Sequence, residues 1–127
     1  MFDRKVQIAL NEASNEAKKR QHEYVCIEHL LYALICHTDV ADILLECGAE
    51  LRSLTLRLEE FFDTKLETLP EDFPFEPHES VATQRVIQRA VLHAKYSSAE
   101  SLKPGDLLAA ILTETDSHAV YFLKQEG

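Results

Sequence analysis

The chain has 127 residues, 46% of them hydrophobic, which suits one compact domain or two half-domains sharing a core and is too apolar for a disordered chain. Its formal charge of −9, with no basic cluster to offset it, argues against nucleic acid and membrane surfaces as partners and in favour of proteins. No apolar run is long enough to cross a bilayer, Met1–Arg4 lacks the pattern of a signal peptide, and the three cysteines are odd in number; together these predict a reducing, cytoplasmic setting.

Taken in order, the first helix is predicted from Asp3, a capping residue, to about Arg20, with Val6, Ala9, Leu10, Ala13 and Ala17 at helical spacing. Lys18, Lys19 and Arg20 suit the negative end of its dipole. A polar corner, Gln21 to Cys26, leads to a second helix with Ile27, Leu30, Leu31, Leu34 and Ile35 as its apolar stripe. Asp39 is the expected cap of a short third helix that buries Ile43 and Leu44 and ends at Gly48 in a left-handed conformation. A fourth helix follows from about Glu50, with Leu51, Leu54, Leu58 and Phe62 inward. Cys36 and Cys47 are expected to be buried as small hydrophobes.

Residues 63–79 hold three of the four prolines and six acidic residues, so they read as a linker; Leu66, Leu69, Phe73 and Phe75 suggest that it lies against the domain. Ser80 can cap a fifth helix bearing Val86, Ile87, Ala90, Val91 and Ala94. Pro104 sits in the first turn of a sixth helix, where its missing N–H costs nothing, and Asp116 or Ser117 starts a seventh. No strand signal occurs anywhere in the chain.

The second half repeats the first. One offset lays Leu10 on Ile87, Ala13 on Ala90, Ala17 on Ala94, Leu30-Leu31 on Leu107-Leu108 and Leu34-Ile35 on Ile111-Leu112. The expected architecture is all-α: residues 1–62 as a first repeat, 63–79 as the acidic linker and 80–127 as a second repeat without its fourth helix. Packing accounts for what the copies share, so their differences become the functional candidates. His22-Glu23 face Ala99-Glu100, Glu28 faces Gly105, and Arg85 replaces Ile8. If helices one and five lie side by side, the acidic corner and Arg85 share one face.

The chain contains no G-x-x-x-x-G-K-[ST] loop and no G-x-S-x-G elbow, so neither ATP hydrolysis nor serine hydrolase chemistry is expected of it. Cys26 and His29 invite a thiolate–imidazole reading, with Glu28 beside them, but supply no orienting group or oxyanion donors. His22, Glu23, Glu28 and His29 could hold an adventitious zinc ion; no metal is assigned.

His22-Glu-Tyr-Val-Cys-Ile-Glu-His-Leu-Leu-Tyr-Ala-Leu-Ile35, then Val40-Ala-Asp-Ile-Leu-Leu-Glu-Cys-Gly48, resembles the Clp N-terminal repeat that opens the Hsp100 family of AAA+ unfoldases. Gln84-Arg-Val-Ile-Gln-Arg-Ala-Val-Leu-His-Ala94 is similar to the start of that family's second copy, and the corner and fifth helix look most like its ClpA branch. The resemblance implies a pseudo-twofold bundle of two four-helix repeats, tethered to ATPase modules beyond this chain. It implies no catalysis here and no cofactor, with ATP and Mg expected only in those modules. It implies an isolated domain that is monomeric and reaches the ClpP peptidase only through the full-length protein.

The resemblance further implies docking of protein substrates and of a ClpS-type adaptor that delivers proteins for degradation. Its adaptor-binding positions would be His22, Glu23, Glu28, Ser80 and Arg85. The alternative is direct binding of unfolded or aggregated protein, as in ClpB- or ClpC-like chaperones, through a patch formed by Phe73, Phe75 and Tyr121. The family's usual Thr before the second helix is Cys26 here, a poor acceptor, so that helix start is expected to be weaker by roughly 0.5–2 kcal/mol unless another group caps it.

Overall fold

The computed structural model describes residues 3–70, 73–96 and 101–126. The periodic segments become α1 (Arg4–Lys19), α2 (Ile27–Ile35), α3 (Thr38–Glu46), α4 (Leu51–Thr64), α5 (Val81–Tyr96), α6 (Pro104–Ile111) and α7 (His118–Gln125). Asp3, Glu50 and Ser117 cap their helices by accepting from Lys5, Arg52 and Val120 N–H groups. Ser80 does the same for α5, its Oγ accepting from Thr83 N–H at 3.1 Å. Gly48 ends α3 at φ +91°, as its position predicted. The cap of α3 is different: His37 precedes the helix and Asp39 lies within its first turn.

The repeat is physical, not only textual. Val6, Ala9, Ala13 and Ala17 are buried on α1, and their counterparts Thr83, Val86, Ala90 and Ala94 are buried on α5. The small alanines let each first helix approach its own second helix closely, α1 on α2 and α5 on α6. The two hairpins then meet through the second helices rather than through α1 and α5, which correct the expected side-by-side placement of those two. At the entry to α1, Asp3 N–H donates to Leu102 O at 2.9 Å; at the entry to α5, Ser80 N–H donates to Val25 O at 3.1 Å. Each repeat therefore ties the start of its first helix to the residue before the cap of the other repeat's second helix, which is the pseudo-twofold written in hydrogen bonds.

That crossing also makes the one element that periodicity did not foresee. Tyr24–Val25 (β1) pairs in parallel with His78–Glu79 (β2), Tyr24 opposite His78 and Val25 opposite Glu79. Two residues per strand carry no alternation to read. The pairing anchors the end of the acidic segment, and Leu69 N–H donating to Gln21 O at 2.7 Å anchors its beginning.

The starts of α2 and α6 are capped alike. Cys26 N–H donates to His29 Nδ1, and Lys103 N–H donates to Asp106 Oδ2, each at 2.9 Å. The side chain at the third helical position thus reaches back to the cap residue in both repeats, one half of a capping box. The other half needs a good oxygen acceptor at the cap, which the thiol is not. Cys26→Thr is accordingly expected to raise stability by roughly 0.5–1 kcal/mol, read as a shift in the urea midpoint at unchanged slope. An unchanged midpoint would mean that His29 alone satisfies this helix start. Cys36 and Cys47, expected inside, are exposed at the ends of α2 and α3, because each falls on the C-cap rather than on the buried stripe.

Candidate functional site

The corner between α1 and α2 separates the predicted site residues into two groups. His22 is 3% exposed, Glu28 6% and His29 not at all, so two of the expected adaptor-binding side chains, His22 and Glu28, are interior together with His29. The reason is α2. It is the central helix of the bundle, packed by α1, α3, α4, α5, α6 and α7, and almost every one of its faces is buried. An amphipathic stripe with a wet face is the wrong picture for it.

Each of these three buried side chains has its partner. Glu28 Oε2 accepts from Ala119 N–H at 2.9 Å, so this carboxylate caps α7 of the other repeat together with Ser117. Its counterpart, Gly105, has only the side chain of Ile43 near the place where a Cβ would stand, at 3.5 Å. The Glu28/Gly105 difference between the copies is therefore an internal tie that the first repeat makes through its side chain, at a position where the second repeat has none.

His22 and His29 form a second interior device. His29 Nδ1 accepts from Cys26 N–H, which places its own proton on Nε2, and Nε2 lies 2.9 Å from His22 Nδ1. His29 stacks on Phe62 with 4.7 Å between ring centroids and 5° between planes. Burial pushes the His29 imidazolium down to about 3, with His22 and Arg20 adding to the effect. Burial also lowers His22, against a backbone hydrogen bond at Phe62 that favours its proton. Both rings are neutral at pH 7, and they lock α2, the corner and α4 together.

The thiolate–imidazole reading meets two obstacles. Burial, with the Glu28 charge second, pushes the Cys26 thiol up to about 11, away from the thiolate that nucleophilic chemistry requires. His29 already holds Cys26 N–H and His22 with its two ring nitrogens. Among the described residues no group of three or more His, Cys, Asp or Glu side chains is placed to hold a metal ion.

The outward-facing group is different in kind. Glu23 is exposed beside half-exposed Tyr24, and it borders a depression lined by Leu69, Phe73, Pro74, Phe75, Glu76 and His78. Phe73 is 52% exposed there. Lys18 holds Glu76 at 2.6 Å, while Glu23 and Glu79 have no cation among the described ion pairs. The corner is therefore an apolar floor with an acidic rim, carried on a segment pinned at both ends by backbone hydrogen bonds. Phe73, Phe75 and Glu76 come from the linker; its sequence marks the two phenylalanines only as packing groups or as an alternative patch, and Glu76 only as one of six acidic residues. Tyr121, grouped with them in that alternative, lines a different depression.

Arg85 does not join this corner. It is turned toward the α6–α7 loop, where Nη2 meets Glu114 Oε1 at 2.7 Å and Arg89 adds a second cation at 3.0 Å. Ile8, its counterpart, is 41% exposed, so this is a surface position in both repeats. Ser80 is half-buried and occupied with its helix cap. Glu100, the counterpart of Glu23, lies outside the described residues.

Residues 1–126 match the family described as Clp repeat (R) N-terminal domain. A ClpA homologue from Fuscovulum blasticum is 37% identical over 128 residues, which cover 98% of this chain and 16% of that protein. The Hsp104 N-terminal domain from Candida albicans superposes with a TM-score of 0.83 at 19% identity, over 99% of this chain and 81% of that one. A ClpV N-domain in complex with a VipB peptide superposes with a TM-score of 0.76 at 22% identity, over 98% of this chain and 77% of that one. These two likenesses speak to the fold; the chain spans about one sixth of the length of the ClpA homologue.

Proposed function

On the premise that this chain belongs to the Clp repeat N-terminal domain family of Hsp100 ATPases, we propose that it docks a ClpS-type adaptor and protein substrates for a ClpA-like unfoldase. The observation that carries this reading is the Glu23 corner: an exposed carboxylate and exposed aromatic rings held on a backbone-anchored platform. A rim charge beside an apolar floor supplies both orientation and area for docking. A ClpV N-domain with a bound VipB peptide offers a parallel on the same fold.

Of the adaptor positions that the family suggests, Glu23 and Arg85 are the ones whose charges face solvent. They would touch a partner at two separate places, since Arg85 stands over the α6–α7 loop. His22 and Glu28 would act on docking only through the scaffold. Isothermal titration of a purified ClpS-type adaptor is the test. Glu23→Ala and Phe73→Ala are each expected to weaken binding roughly tenfold without altering the melting temperature. Full affinity in both variants would remove the corner from the docking face. The second reading, direct capture of unfolded protein, is favoured by the exposure of Phe73 over Leu69 and Phe75. It predicts that Phe73→Ala impairs binding of a permanently unfolded protein while Glu23→Ala does not.

A further inference from the structure

The two residues of β2 serve two different hollows. His78 lines the corner depression, and Glu79 lines a half-enclosed cavity between α1, the short strands and the start of α5. The register accounts for this: Glu79 pairs with Val25, and cross-strand partners project to the same side of a sheet. Val25 is buried and forms the cavity floor with Ala13 and Leu30. Thr83 lines it from α5, its hydroxyl donating to Val25 O at 2.8 Å, so that group is committed to holding α5 against β1.

The other polar side chains of the lining are uncommitted. Asn11 and Ser14 make no side-chain hydrogen bond among the described residues, and Glu79 has no cation among their ion pairs. Glu79 is also the only charged residue of the lining. The Lys18–Glu76 pair, one turn further along α1 from Ser14, is closed on itself at 2.6 Å and adds no net charge. A carboxylate, a carboxamide and a hydroxyl thus keep open acceptors around an apolar floor. The repeat marks the same place. Val91 stands for Ser14 and Val6 for Thr83, so the second copy sets apolar groups where the first sets hydroxyls.

We propose that this cavity is a binding site for one basic side chain, lysine or arginine, of an extended polypeptide. Its space of about 250 Å³ falls below the roughly 300 Å³ at which pockets for drug-sized molecules begin, so it suits a single side chain. The alkyl stem packs on Leu10 and Val25 while the cationic head meets the Glu79 carboxylate, and Asn11 and Ser14 accept from its remaining N–H groups. The site shares no lining residue with the Glu23 corner and does not rest on adaptor docking there.

Amide NMR of the isotope-labelled domain reads both the place and the affinity. The probes are acetyl-Gly-Arg-Gly-amide, acetyl-Gly-Lys-Gly-amide and the citrulline tripeptide, which keeps the arginine shape and loses its charge. Either basic peptide should give saturable shifts at Asn11, Ser14 and Thr83, at least about fivefold tighter than citrulline. Glu79→Gln should bring the basic peptides to the citrulline level. Ser14→Val, which installs the second copy's residue, should weaken them about fivefold or more, and neither variant should move the melting temperature appreciably. Glu23→Gln removes an equal charge from the corner and should change the affinity less than about twofold. Equal affinity for citrulline, indifference to Glu79→Gln, or shifts confined to Glu23, Phe73 and Phe75 would overturn the proposal. So would a loss in Glu23→Gln as large as that in Glu79→Gln, because binding would then follow only the net charge of the chain.

Discussion

Replacing His29 by Ala is expected to lower the stability of the domain by about 3–4 kcal/mol, a fall of roughly 10–15 °C in melting temperature. The substitution removes a fully buried ring that stacks on Phe62, leaves Cys26 N–H without its acceptor, and strands His22 Nδ1. The companion effect is on pH. The unfolded imidazole binds its proton near the ordinary value of 6.5, whereas the folded one does so only near pH 3. Between those values the unfolded state carries more protons, so stability falls as pH drops. His22, also lowered by burial, acts in the same direction. By pH 4.5 the His29 contribution alone amounts to a loss on the order of 2–3 kcal/mol relative to pH 7.5. Urea titrations at both pH values, with a His22→Gln/His29→Gln variant as reference, isolate it from the carboxylates. A wild type that loses no more than the double variant would show that the two rings are not held neutral.

Glu28→Ala is the second large effect expected, a loss of about 2–4 kcal/mol. Its carboxylate crosses from α2 to the first turn of α7, and deletion leaves Ala119 N–H buried without an acceptor. Glu28→Gln keeps an acceptor oxygen in place and should recover more than half of the loss. Both figures come from chemical denaturation. If Glu28→Ala proves as stable as the wild type yet fails to bind an adaptor, Glu28 is a surface contact after all.

These two residues also show where sequence reasoning reaches and where it stops. Val6, Ala9, Ala13 and Ala17 declare one face of one helix, and their repeat over Thr83, Val86, Ala90 and Ala94 declares the second half, because burial on a single face leaves a period. Glu28 and His29 sit on a helix buried on nearly all sides, where periodicity has nothing left to distinguish. Their polarity then looked like a surface, and the mismatch between Glu28 and Gly105 looked like function. Glu23, exposed between buried His22 and buried Val25, entered as a candidate through the family resemblance, since its counterpart Glu100 is the same residue and the repeat alone does not single it out. That Phe73, Phe75 and Glu76 join it was not legible, since the β1–β2 pairing that brings the linker to the corner rests on two residues per strand.

The central claim is that partners dock on the Glu23 corner while His22 and Glu28 hold the scaffold beneath it. An amide NMR titration of the isotope-labelled domain with a ClpS-type adaptor tests this most directly. The account predicts shifted or broadened resonances at Glu23, Tyr24, Phe73, Phe75, His78 and Glu79, with a second, smaller group around Arg85. Perturbations confined to α3 and α4, with the corner resonances unmoved at saturation, would contradict it.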